Sequence, residues 1–283
     1  MTVSDADVVS LAASHDIISI GVAADEVRRQ RHGLRTTFVR VADVPAAGDT
    51  LPELPQPAGE IRIVGKPATR ADAVNRVRQI VGLANGKPVS AFSLADLEEL
   101  SAREGAPLRA ILEELRGAGL ELVAEAPFDQ LQDARRSIEE VNIAGLVLAR
   151  LTVRKSVSAD PLPQLKAIAD LQRAVAVIRA FAPLPRTINA AAPSTGYDDV
   201  KRVALARVIV DGVPSIQVDW ALYGPKLAQV ALTMGADDVD SVSPADDTTH
   251  GRRRAPLEEI RRNIRAAGLR PVERNGRFDV VSQ

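Results

Sequence analysis

Arginine recurs inside segments that otherwise read as apolar strands, at Arg40, Arg62, Arg150, Arg154 and Arg179. Thr152, Gln217 and Asp219 sit in the same kind of context, and Glu121 and Glu125 fall on the polar face of another such segment. A guanidinium is a planar fork of donors that fits a carboxylate or a phosphate. One chemistry open to these residues is therefore an anion pocket. The other is mutual pairing, because an isolated buried charge costs several kcal/mol or more and is tolerated only beside a partner. Mutual pairing, with partners such as Glu121 and Asp219 filling the space between the strands, is the expected arrangement. No nucleophile–base pair accompanies the arginines.

Composition removes other chemistries. The chain of 283 residues has no cysteine, which excludes disulfides, thiolate nucleophiles, zinc–thiolate sites and thiolate-bound iron–sulfur clusters together. With only His15, His32 and His250, a metal centre built on histidine is not expected. Asp246, Asp247 and His250 superficially suggest a metal cluster, but they read as a solvated loop, and Arg252–Arg254 as a surface charge run. Trp220, the single tryptophan, reads as a packing residue at a strand end. Thirty-six basic side chains balance thirty-seven acidic ones, so nothing advertises nucleic acid or a membrane surface. The N-terminus has no basic segment followed by an apolar one, and no apolar run approaches membrane-span length, which leads to a cytoplasmic expectation.

These side chains need elements to position them. Residues 1–33 read as helical, and Thr36–Val41 as a β-branched strand. Residues 42–59 carry Pro45, Pro52, Pro55 and Pro57, which no helix interior accepts. From Glu60 onward, strand patterns alternate with amphipathic helices. The strands are Ile61–Val64, Val89–Phe92, Leu120–Ala124, Leu146–Val153, Val175–Phe181, Ile216–Trp220 and Val239–Val242. About eight parallel strands with helical crossovers is the count that closes a (β/α)8 TIM-type barrel. The expected organisation is an N-terminal helical segment over 1–35, a barrel over 36–269 that lacks or shortens its first helix, and a C-terminal extension over 270–283.

Residues 193–242, above all GPKLAQVALTMGADDVD from Gly224 to Asp240, resemble the C-terminal half of a radical-SAM family. Its members serve the futalosine route to menaquinone and deazaflavin (FO) synthesis. Leu257–Gly268 with Arg270–Arg274, Ala23–Val41 and Lys87–Gly119 extend the similarity over most of the chain. The resemblance implies a barrel that holds SAM and a [4Fe–4S] cluster on a C-x3-C-x2-C loop after the first strand.

This sequence departs from the family at each of those places. Residues 42–59 hold no cysteine, and Gly65-Lys66 stands where the family has a Gly-Gly turn. Ala124–Asp129 replaces a Gly-rich turn ending in Ala-Glu, and Ser156-Val157-Ser158 stands in place of His-Val-Glu. The expectation is a Cys-less degenerate member with no cofactor and no radical-SAM chemistry. It would serve menaquinone or related biosynthesis by binding a small anionic ligand, or by pairing with an active paralogue or with itself. The alternative is a repurposed cluster-independent lyase or hydrolase that uses an Arg-lined barrel mouth.

Overall fold

In a computed structural model, the described residues are 5–48, 53–155, 160–187, 195–245 and 256–281. Eight strand positions, all paired in parallel, form a closed barrel. They are β1 (Arg35–Pro45), β2 (Glu60–Val64), β3 (Val89–Ser93), β4 (Leu122–Pro127), β5 (Val147–Leu148) with β6 (Leu151–Val153) sharing one position, β7 (Ala180–Pro185), β8 (Ser215–Asp219) and β9 (Asp238–Val242). β9 pairs back onto β1 and closes the ring. No helix joins β1 to β2 among the described residues, as the prolines dictate.

The outer layer comprises α3 (Arg70–Leu83), α4 (Leu94–Glu104), α5 (Leu108–Gly117), α6 (Ala134–Ile143), α7 (Leu162–Val175), α8 (Gly196–Ile209), α9 (Trp220–Thr233) and α10 (Pro256–Ala266). One strand face supplies Phe38, Ile61, Val123, Phe181 and Val239 to the core beneath these helices. Alternation sends the intervening residues into the lumen. The helical N-terminus is broken at 14–16 into α1 (Asp5–Ala13) and α2 (Ile17–His32), because Asp16 accepts from Ile18 and Ser19 N–H and starts a new helix. Trp220 opens α9 and packs, partly buried, on the core. The start of α8 carries a capping box between Thr195 and Asp198, with Asp198 and Asp199 in its first turn. The C-terminal extension contributes β10 (Arg270–Glu273), which lies parallel against the lower half of β1.

β7 lies five residues further along than the sequence pattern places it. Val175 still belongs to α7, and the strand runs on through Pro183 and Pro185, which the usual exclusion of proline from central strands argues against. The pairing with β6 slips between Thr152 and Val153, so Val153 stands opposite Pro185.

Candidate functional site

β2 places Glu60 and Arg62 two residues apart, hence on one face, and both are buried. Arg62 Nε donates to Glu60 at 2.9 Å, and its Nη2 donates to Asp240 of β9, also at 2.9 Å. Arg150, between β5 and β6, crosses the lumen to the other oxygen of the same Asp240. Ser90 of β3 donates to Glu60 at 2.5 Å, and Ser241 accepts from Arg62 at 3.0 Å. Two guanidiniums and two carboxylates thus occupy the middle of the lumen. Burial pushes the Asp240 carboxyl up, but Arg150 and Arg62 outweigh it and hold the group well below the usual carboxylate range. Glu60 is lowered in the same way, and the carboxylates raise Arg62 against the cost of its burial. Arg150 is lowered by burial and by repulsion from Arg62.

A second buried group sits beside it. Arg274, just past β10, forks onto both oxygens of Asp238 at 2.7 and 2.6 Å. Gln217 of β8 donates to Asp238 at 2.7 Å, and Thr37 of β1 donates to it as well. Nearer the C-terminal mouth, Arg186 donates to Asp219 at 2.5 Å and lies 3.3 Å from Glu125 Oε2. Arg186 so ties β4 to β8 from the end of β7.

Of the residues singled out in the sequence, Arg62, Arg150, Thr152, Gln217 and Asp219 do face the lumen. Arg40 does not: it shares the outer face of β1 with Phe38 and Ala42, because Val41 and Asp43 take the lumen face, and it pairs there with Glu273 at 2.7 Å. Arg154 is at the mouth, 4.0 Å from Glu125 and 41% exposed, so its attraction is weak. Two further placements are corrected. Arg179 precedes β7 and is exposed, its Nη1 donating to the Arg277 carbonyl, because the strand starts after it rather than before it. Glu121 precedes β4 at the N-terminal rim and pairs with Arg277 at 2.6 Å, not with any lumen arginine. The partners of Arg62 and Arg150 are therefore Glu60 and Asp240, not Glu121 and Asp219. Asp129 accepts from the Arg154 and Lys155 N–H groups, and Lys66 pairs with Glu99 at 2.6 Å. Ser156–Ser158, Asp246–His250 and Arg252–Arg254 lie outside the described residues.

Reading single strands missed Glu60, Asp238 and Asp240, although both stretches carry the signal. Glu-Ile-Arg and Asp-Val-Asp alternate with period two, which sends both charged members of each to one face once the strand is recognised. Arg274 arrives from the chain end, and nothing local announces it. A thiolate-bound cluster does not fit these residues: the chain has no cysteine, and the described residues hold no group of three or more His, Asp or Glu arranged to take a metal ion. Among the described residues, no helix is long and apolar enough to cross a membrane.

Residues 182–283 match the family model described as the CofH/MqnC C-terminal region. Aminodeoxyfutalosine synthase of Streptomyces coelicolor is 35% identical over 96 residues, which cover 32% of this chain and 25% of that protein. Cyclic dehypoxanthine futalosine synthase of the same organism is 28% identical over 180 residues, covering 58% of this chain and 45% of its own. The chain thus spans less than half the length of these two curated relatives. The crystal structure of methylornithine synthase superposes with a TM-score of 0.67 at 12% identity, covering 96% of this chain and 94% of that one, and so shares the fold. The chain is a (β/α)8 barrel that carries a CofH/MqnC C-terminal region and is related to the radical-SAM enzymes of the futalosine and menaquinone type.

Proposed function

We propose that this barrel carries no [4Fe–4S] cluster, performs no radical-SAM reaction, and serves menaquinone-type or related cofactor synthesis as a ligand-binding or partner protein. The observation that carries this reading is the buried network Glu60–Arg62–Asp240–Arg150, which places mutually paired charges in the middle of the lumen. It stands in a chain without a single thiolate ligand. SAM binding in the related enzymes leans on a cluster iron, and that anchor has no protein ligands here.

The test is anaerobic reconstitution with iron and sulfide, followed by metal analysis and calorimetry with SAM. The expected outcome is a colourless, iron-free protein with no SAM heat at physiological concentration. An absorption band near ~400 nm with about four irons per chain, the signature of a thiolate-type cluster, overturns the reading. SAM binding at low micromolar Kd, roughly −8 kcal/mol, overturns its SAM clause.

A further inference from the structure

The barrel wall is split at its lower, N-terminal end. β5 pairs with β4 alone, and the first residues that join the fifth strand position to β7 are Leu151 and Phe181. Carried back along both strands, that register sets Leu148 opposite Ile178, yet these two are not paired. Val147 and Ala149 give their N–H groups to Glu121 and Val123, so alternation aims the Leu148 peptide groups away from β4 and into the gap. Across the gap, Gln172 of α7 takes the place of a strand. Its side chain accepts from Ile178 N–H at 3.1 Å and donates to the Ile178 carbonyl at 3.2 Å.

The split opens a cleft of about 400 Å3 between the wall and the C-terminal ends of α6 and α7, and all its lining residues are described. Ile138, Val141, Leu146, Leu148 and Ile178 form its walls, none of them more than 3% exposed. Gln172 spends its amide on backbone groups, the remaining one being the Gly212 carbonyl at 3.0 Å, so the interior is apolar. The other polar side chains of the lining are Asn142 and Arg179, both exposed at the rim. Arg179 uses Nη1 alone, on the Arg277 carbonyl at 3.3 Å, and forms no ion pair with any described residue. An apolar interior with one uncommitted guanidinium at its edge complements a molecule with an apolar body and an anionic head. An apolar cavity of ~150 Å3 holds benzene, so this cleft has room for a ring and a short chain.

We propose that the cleft binds a small carboxylate with a compact apolar body, which lies between α6 and the split wall while its carboxylate meets the fork of Arg179. This rests on the ligand-binding reading above and names the ligand class. It also moves the anion site: the lumen arginines Arg62 and Arg150 are committed to Glu60 and Asp240, whereas Arg179, outside the lumen, is not.

Calorimetry on the full chain with phenylpropionate, phenylpropanol and phenylpropylammonium, at matched ionic strength, tests it. Phenylpropionate should bind with a Kd of about 1 mM or tighter, as a fragment-sized probe can. Phenylpropanol should bind about fivefold more weakly, the upper worth of an exposed charge pair, and the ammonium probe more weakly still. Arg179→Gln, which breaks no ion pair, should bring phenylpropionate down to the level of phenylpropanol and leave phenylpropanol unchanged. Val177→Phe, which fills the cleft from its half-buried rim, should abolish binding of both. Arg135→Gln, on the exposed side of α6, should alter neither. Absence of phenylpropionate binding, equal affinity for the alcohol or the ammonium, or an unaltered Kd in Arg179→Gln overturns the proposal. A dimer that excludes phenylpropionate and falls apart in Val177→Phe assigns the cleft to a second copy of the chain and overturns it as well. Iron-free protein that ignores the carboxylate sinks this inference alone, whereas cluster formation sinks the functional reading beneath it.

Discussion

Asp240 is the residue on which the lumen turns, because it accepts from Arg62 with one oxygen and from Arg150 with the other. Replacing it with alanine strands two guanidiniums that are nearly solvent-free. A broken buried pair costs about 3–5 kcal/mol, and urea denaturation of Asp240→Ala should show a loss of at least that size. Arg154→Ala supplies the contrast, since its partner is 4.0 Å away and its own side chain is 41% exposed. Its effect should stay within about 1 kcal/mol, the usual worth of an exposed pair. Equal losses in both variants would mean that the lumen network contributes nothing special. At this scale the sequence was half legible. Arg62 and Arg150 were readable as lumen arginines from strand alternation. Asp240 as their shared partner was not, because its pairs with them span 178 and 90 positions of the chain, whereas Glu60 stands two residues from Arg62 and was legible from the same alternation.

The elements explain which readings survive. The amphipathic runs Arg70–Leu83, Leu94–Arg103 and Leu108–Ala118 match α3, α4 and α5 to within a residue, because each repeats its apolar positions at helical spacing. β7 was displaced because its apolar run begins in the last turn of α7 and its own body contains two prolines, and that displacement is what sent Arg179 to the wrong side. The docking of α2 onto α8 was not readable at all. It depends on Gly235, held at φ +99°, where an added Cβ would lie 2.9 Å from both the Ala24 and Arg207 Cβ atoms. Gly235→Ala therefore combines left-handed backbone strain with overpacking, and a loss of roughly 1–3 kcal/mol is expected. Hydrogen exchange should locate it: protection falls in α2 and the 235–237 turn while β2 and β3 keep theirs. Uniform loss across the barrel would show that α2 and the barrel are one cooperative unit.

For the molecule as a whole, the carboxylates divide into two sets with opposite pH behaviour. Asp240 and Glu60 are held below their ordinary range by the lumen arginines, against the burial that opposes this. A depressed folded pKa stabilises above the unfolded value, and that stability is lost as pH falls below about 4 toward the folded value. Asp43 and Asp96 are raised, by burial in both cases, with Arg62 countering it at Asp43 and Lys66 at Asp96. Each of these destabilises the fold while ionised, and the penalty is relieved as pH falls through the raised pKa toward the unfolded value near 4. The two sets together predict stability that climbs from neutral pH to a maximum on the mildly acidic side. Below about pH 4 it should fall steeply, as the lumen network loses its anions while thirty-six lysines and arginines keep their charge. Urea midpoints taken from pH 3 to 8 measure the curve. Asp43→Asn should lift the neutral end and flatten the climb without moving the acid collapse. A wild-type curve that declines monotonically from pH 8 downward, or an Asp43→Asn curve parallel to it, would show that the Asp43 carboxylate does not carry the raised pKa on which the climb depends.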